Sequence, residues 1–127
     1  MSQKPIREVQ AKQLISDHWK GAGKPEIEFV AVNRETDLSK CKSKGRCVAK
    51  VDELFGKRGK LGYIRIADSF EEATEWIEKL RGKTVTINDR KETLNNFIVE
   101  PFVEHKNELY LSFTMERDED VIYFSEK

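Results

Sequence analysis

Apolar and polar positions recur along this chain in two periods. In "SFEEATEWIEKLRGK", Phe70, Ala73, Ile77 and Leu80 fall at helical spacing, with Trp76 beside them. Ser69 and Glu72 make a capping box at its start. Lys79 and Arg81 suit the negative end of the helix dipole, and Gly82 is placed to close it. A second helix is predicted in "REVQAKQLISDHWKGAG", where Ala11, Leu14, Ile15 and His18 share a face and Gly21 to Gly23 end it. Strand periodicity runs through "RCVAKVDEL" (46–54), in which Cys47, Ala49 and Val51 alternate with Val48 and Lys50. It returns in "LGYIRIA" (61–67), with Leu61 and Tyr63 on one side and Ile64 and Ile66 on the other. "IEFVAVNRE" (27–35) reads as a strand covered at least partly on both faces, and "KTVTIND" as another. "NNFIVEPFV" (95–103) is a strand broken by Pro101. "ELYLSFTMERDEDVIYFSE" is a hairpin with strands at 108–116 and 121–126 around a turn at Arg117 to Asp120. One short helical turn, opened by Thr36 or Asp37 and ended by Gly45, fits between the first two strands. The order predicts an α+β fold: a small mixed sheet with two main helices.

Composition narrows the setting. At 127 residues the chain is one domain or a large part of one. Its 23 Lys and Arg balance its 23 Asp and Glu, so no global field favours nucleic acid or an anionic membrane, and any anion site has to be local. No run of about 18 apolar residues suggests a membrane span. "MSQKPIREVQ" lacks a signal-peptide core. With two cysteines, Cys41 and Cys47, a reduced cytoplasmic setting and free thiols are expected. A disulfide would need an oxidising compartment. A metal site would need two more ligands, and His18 and His105 lie far off in sequence.

The candidate chemistry lies in "ELFGKRGKLGYIRIA" (53–67). Gly56, Gly59 and Gly62 offer backbone N–H groups without Cβ atoms in the way, and Lys57, Arg58 and Lys60 surround them. Arg presents a planar fork to phosphate oxygens and Lys a mobile charge. The stretch is not a phosphate-binding loop of the G-x-x-x-x-G-K-[ST] type, since a strand follows it. By itself it reads first as a solvated basic hairpin turn, and only second as an anion cradle. With only Phe55 as a large apolar anchor, 55–60 is expected to be the least ordered internal segment. Lys50 sits just upstream inside an apolar strand. Such a lysine usually faces solvent, but beside a glycine-rich loop it can neutralise phosphate. "FIVEPFVEH" bends at a proline, which exposes backbone groups able to read an adenine edge between Phe97, Ile98 and Val103. Glu108 opens the next strand, where a carboxylate can accept from two ribose hydroxyls or simply add charge.

"FGKRGKLG" followed by "NNFIVEPFVEHKNELYLSF" resembles the N-terminal ATP-grasp lobe of the ATP-citrate lyase family, and Met1, Ser2, Lys4, Ile6, Glu8, Lys12 and Leu14 resemble that family's amino end. The glycine–cation loop is shared more widely, with succinyl-CoA synthetase β subunits among others. The resemblance implies residues 1–104 as the first ATP-grasp lobe and 105–127 as the first hairpin of the second. It implies ATP as ligand, with Lys50 reaching the nucleotide, Arg58 and Gly59 in a flexible loop closing over it, Pro101 and Val103 at the adenine edge, and Glu108 at the ribose. Lys60 and Glu100 also match but rank lower as contacts. A short deletion between His105 and Glu108 departs from the family pattern. Magnesium ligands, the citrate and CoA sites and the phosphorylated histidine are expected beyond residue 127 or on a second subunit, and neither His18 nor His105 matches that histidine. Two classes of function follow. One is part of an enzyme converting citrate to acetyl-CoA and oxaloacetate, or of a citryl-CoA or succinyl-CoA synthetase. The other is a non-catalytic nucleotide-binding or subunit-interaction module. Either way, the apolar hairpin at 108–127 is expected to promote self-association.

Overall fold

The computed structural model describes residues 4–23, 27–41 and 45–126. Two helices, α1 (Glu8–Gly21) and α2 (Phe70–Leu80), accompany eight strands: β1 (Val30–Val32), β2 (Cys47–Val51), β3 (Ile64–Ala67), β4 (Thr84–Ile87), β5 (Arg90–Thr93), β6 (Phe97–Pro101), β7 (Leu109–Met115) and β8 (Asp120–Glu126). The expected turn between β1 and β2 is a 3₁₀ turn at Leu38–Lys40, opened by Asp37, whose carboxylate accepts from the Ser39 N–H at 3.1 Å. The stretch 42–44 that it was expected to cross lies outside the described residues.

Four strands form the central sheet in the order β1-β6-β2-β3. Its pairings are antiparallel throughout, where a mixed sheet is expected. The reason is where β6 sits. It is the last of the four in sequence, yet it inserts between β1 and β2 and runs against both. Its residues Phe97, Ile98 and Val99 are all buried, as a strand with neighbours on each side requires.

One sheet face carries the core. The alternation of β2 is realised in full: Cys47, Ala49 and Val51 are buried, and they pack with Ala67, Phe97 and Val99 beneath Ala73 and Ile77 of α2. Trp76 meets Phe97 edge-on, with ring centroids 6.3 Å apart. The Ser69 hydroxyl caps α2 by accepting from the Glu72 N–H at 3.2 Å. The Glu72 carboxylate reaches back one residue further than a capping box predicts, to the Asp68 N–H at 3.0 Å, and also takes Arg65 at 2.7 Å. Gly82, at φ 82°, turns the chain out of the helix so that its N–H meets the Leu94 carbonyl at 2.8 Å.

The other sheet face is charged, and α1 lies over it. Ala11, Leu14, Ile15 and His18 share the apolar stripe of this helix, which would ordinarily turn inward. Instead Leu14, Ile15 and Trp19 are exposed, and the helix turns Glu8, Lys12 and the buried Ser16 inward. The sheet beneath presents Lys50 and Glu100, so a charged helix edge is the one that fits. Asp52, almost wholly buried just past β2, fixes the start of α1: its two carboxylate oxygens accept the N–H groups of Glu8 at 2.7 Å and Val9 at 3.1 Å.

Two hairpins form sheets of their own. β4 and β5 pair through Asn88 and Asp89, both at positive φ (49° and 64°), the backbone of a two-residue primed turn. Among the described residues, β7 and β8 pair only with each other. Their register brings Leu111 opposite Phe124 and Phe113 opposite Ile122, so Leu109, Leu111, Phe113, Met115, Ile122 and Phe124 share one face, all more than half exposed. Among the described residues, no helix is long and apolar enough to cross a membrane.

Candidate functional site

Lys50 and Arg58 meet on one carboxylate. Lys50 stands on β2 opposite Ile98 of β6 and points to the α1 side, where its ammonium lies 3.1 Å from Glu8 Oε1 and also pairs with Glu100. Arg58 arrives from the glycine–cation loop. Its Nη2 donates to Glu8 Oε2 at 2.7 Å and its Nη1 to the Val51 carbonyl at 2.9 Å. Lys12, one turn along α1, reaches Glu8 at 3.0 Å and pairs with Glu100. Three cations and two carboxylates thus form one network, each side chain about one-fifth exposed.

The electrostatics follow from that geometry. Burial pushes the Glu8 carboxyl upward, but hydrogen bonds from Arg58 and Lys12 and the charge of Lys50 outweigh it and hold the group down at about 2. For Lys12, burial opposes the charge, yet Glu100 and Glu8 together raise it above its ordinary 10.5.

The loop from Gly56 to Gly62 closes on its own backbone. Lys57 takes positive φ (60°), Leu61 N–H bonds to the Lys57 carbonyl at 3.1 Å, and Tyr63 N–H bonds to the Arg58 carbonyl at 2.8 Å. Phe55 packs edge-on against Tyr63 at 5.7 Å. Three cations this close in sequence repel one another unless they find counter-charges. Arg58 escapes this repulsion by pairing with Glu8, while Lys57, Lys60 and Gly59 remain exposed. Between this loop and the start of α1 opens a cleft of about 620 Å³, lined by Glu8, Asp52, Phe55, Gly56 and Arg58 among others.

Of the remaining predicted residues, Val103 and Glu108 meet at His105, and Pro101 lies at the end of β6. Pro101 ends β6 opposite Cys47, and the chain leaves the sheet there. Val103 is exposed, and its carbonyl lies 3.0 Å from His105 Nδ1. Glu108 Oε1 lies 2.8 Å from His105 Nε2. Arg46 stacks over the Phe102 ring at 4.4 Å, and a second cleft of about 460 Å³ opens beside Arg46, Phe102 and His105. Glu100 joins the two groups: it stands on β6 next to Pro101 and pairs with Lys50. Among the described residues, no group of three metal-ligating side chains comes together. Cys41 and Cys47 are both free.

Sequence reasoning missed Glu8 and Lys12 as partners of the site, and Asp52 and Glu53 as its framework. Glu53 accepts from the N–H groups of Asn95 and Asn96 at 3.0 and 2.8 Å, tying the loop after β2 to the entry of β6. The signals were present: Glu8 and Lys12 are four apart on a helix, and two acids close an apolar strand at Asp52-Glu53.

Residues 2–127 match the model of the ATP-citrate synthase ATP-grasp domain. An ATP-citrate synthase alpha chain of Arabidopsis thaliana is 37% identical across 99% of this chain, and a probable ATP-citrate synthase of Caenorhabditis elegans is 31% identical across all of it. Among solved structures, the ATP citrate lyase of Methanothrix soehngenii in complex with citrate and coenzyme A superposes with a TM-score of 0.81 at 31% identity, over 99% of this chain. A mutant of the Methanosaeta concilii enzyme with citryl-CoA superposes with a TM-score of 0.79 at 29% identity, over 97% of this chain. The chain spans 32% of the length of the Arabidopsis relative and of each archaeal enzyme, and 12% of the nematode relative.

Proposed function

The chain belongs to the family of ATP-citrate synthase ATP-grasp domains, and from that premise we propose that it forms the N-terminal, nucleotide-binding part of an ATP-citrate lyase. The whole enzyme would use ATP and CoA to turn citrate into acetyl-CoA and oxaloacetate, through a phosphohistidine and citryl-CoA, in a reducing cytoplasmic setting. Residues 1–104 would be the first ATP-grasp lobe and 105–127 the start of the second. The carrying observation is the convergence of Lys50 and Arg58, a strand lysine and a loop arginine, on a single carboxylate. Cations gathered beside a glycine-rich backbone suit a polyphosphate. Gly59 would let the loop approach the phosphates without a side chain between. Pro101 and Val103 would border the adenine, and Glu108 would take the ribose hydroxyls. Magnesium, where bound, would neutralise the phosphate oxygens that these cations do not reach, with ligands supplied from outside these residues. A second subunit or further domain would supply the citrate and CoA sites.

An ATP-grasp site is a cleft between two lobes, so the 127-residue chain should bind ATP only at roughly millimolar strength, since each missing charge-assisted hydrogen bond costs about 1.5–3 kcal/mol. It should form no acetyl-CoA from citrate, CoA and ATP. The reading is tested by amide chemical-shift mapping with millimolar ATP. Shifts should cluster at Lys50, Arg58, Gly59, Val103 and Glu108 and be lost in Lys50→Ala. Shifts confined elsewhere, or unchanged in that variant, would refute it.

A further inference from the structure

The nucleotide reading leaves one residue without a task. Glu8 belongs to none of the expected contacts, yet it occupies the centre of the cation cluster. Its two oxygens are divided as two oxygens of a phosphate group would be: Oε2 faces Arg58 at 2.7 Å, and Oε1 faces Lys50 at 3.1 Å and Lys12 at 3.0 Å. The cluster holds three cations against two carboxylates. With Glu8 in place, a phosphate dianion meets one uncompensated positive charge and a carboxylate that repels it. With Glu8 withdrawn, the same dianion and Glu100 balance the three cations.

Withdrawal is open to this side chain. Glu8 is the first residue of α1 and borders the 620 Å³ cleft. Its backbone N–H stays on Asp52 at 2.7 Å, so the side chain can rotate without moving the helix. Glu100, by contrast, stands on the central strand β6 and pairs with Lys12 and Lys50.

We infer that Glu8 is the internal counter-anion of the site: it holds Arg58 and Lys50 together, and phosphate enters by exchanging with it. The inference rests on the nucleotide reading for its natural ligand, but not for its mechanics. Arg58 links the glycine loop to the body of the domain, so the same exchange would free or hold the loop.

Two readouts on the 127-residue chain test this, with circular dichroism to verify folding. The first is tryptic cleavage after Arg58. Glu8→Gln should speed it severalfold, Glu8→Asp should restore much of the protection, and Glu100→Gln should leave it near wild type. The second is titration with inorganic tripolyphosphate and, separately, with ATP. Glu8→Gln should tighten tripolyphosphate binding about tenfold, the effect of removing one competing charge-assisted contact, and Glu100→Gln should tighten it less. Unchanged cleavage in Glu8→Gln would overturn the inference. So would anion binding that is absent, unchanged or weaker in that variant, which would make Glu8 a support that orients the cations. If tripolyphosphate tightens but adenosine adds nothing to it in any variant, the exchange stands and the nucleotide reading falls.

Discussion

His105 bridges the two predicted nucleoside contacts: its Nε2 lies 2.8 Å from Glu108 Oε1 while its Nδ1 lies 3.0 Å from the Val103 carbonyl. A neutral imidazole can donate from only one nitrogen, whereas the imidazolium satisfies both acceptors. The Val103 carbonyl first, and Glu108 second, therefore raise His105 above its ordinary 6.5. A raised histidine adds stability below its unfolded value and loses it as pH climbs through the folded one. Proton NMR titration should find His105 above 6.5, and Glu108→Gln should lower it. An unmoved titration in that variant would show that the contact is not formed in solution.

The charged network predicts an acid limb. Glu8 is held at about 2 against an ordinary 4.5, so the unfolded chain takes up its proton first. The stability that Glu8 contributes is complete above about 4.5 and drains away as pH falls toward about 2. Urea unfolding across that window should show a falling midpoint. Glu8→Gln should flatten this limb, and an equally steep limb in the variant would assign it to other carboxylates.

The hairpin predicts association. Its apolar face carries Phe113 at 71% and Phe124 at 58% exposure, and lone two-stranded hairpins are marginal in water. Two copies can cover each other's faces across a two-fold axis. Light scattering of the chain should give a mass above that of a monomer, rising with concentration. Phe113→Glu with Ile122→Lys should return it to one copy. A strictly monomeric wild type would refute this.

The core predicts where stability resides. Ile77 is fully buried between α2 and the sheet, so Ile77→Ala should cost about 2–5 kcal/mol. Ser69→Ala removes one capping bond and should cost about 1 kcal/mol. Both are read from urea midpoints. Equal costs would mean that α2 is held by its ends and not by its packing.

What the residues reveal directly follows the range of the forces involved. The stripe and cap of α2 and the alternation of β2 are local patterns, and they appear where expected. β5 was missed because "RKET" is polar on both faces: it is paired through the turn at Asn88-Asp89, not through an apolar side. The orientation of α1 was misjudged because hydrophobic spacing was given precedence over charge, and the face beneath it belongs to Lys50 and Glu100, 42 and 92 positions from Glu8 by number. The antiparallel pairing depends on the late arrival of β6 between two earlier strands, which no short window records. For the candidate site, the cations were legible as a cluster of residue types. Their counter-charges, set by α1, were not.

Cys47 makes the fold report on its own opening. Its thiol is sealed beneath α2, facing the Ser69 carbonyl at 3.7 Å, and burial with the nearby Glu72 charge raises it further from reactivity, while Cys41 is only half covered. A disulfide reagent should therefore consume one equivalent promptly and the second slowly. At high reagent concentration the slow phase becomes a clock for the lifting of α2 from the sheet. At low concentration its rate relative to that of a denatured sample gives the fraction of molecules open at any moment, and so the free energy of that opening without heat or denaturant.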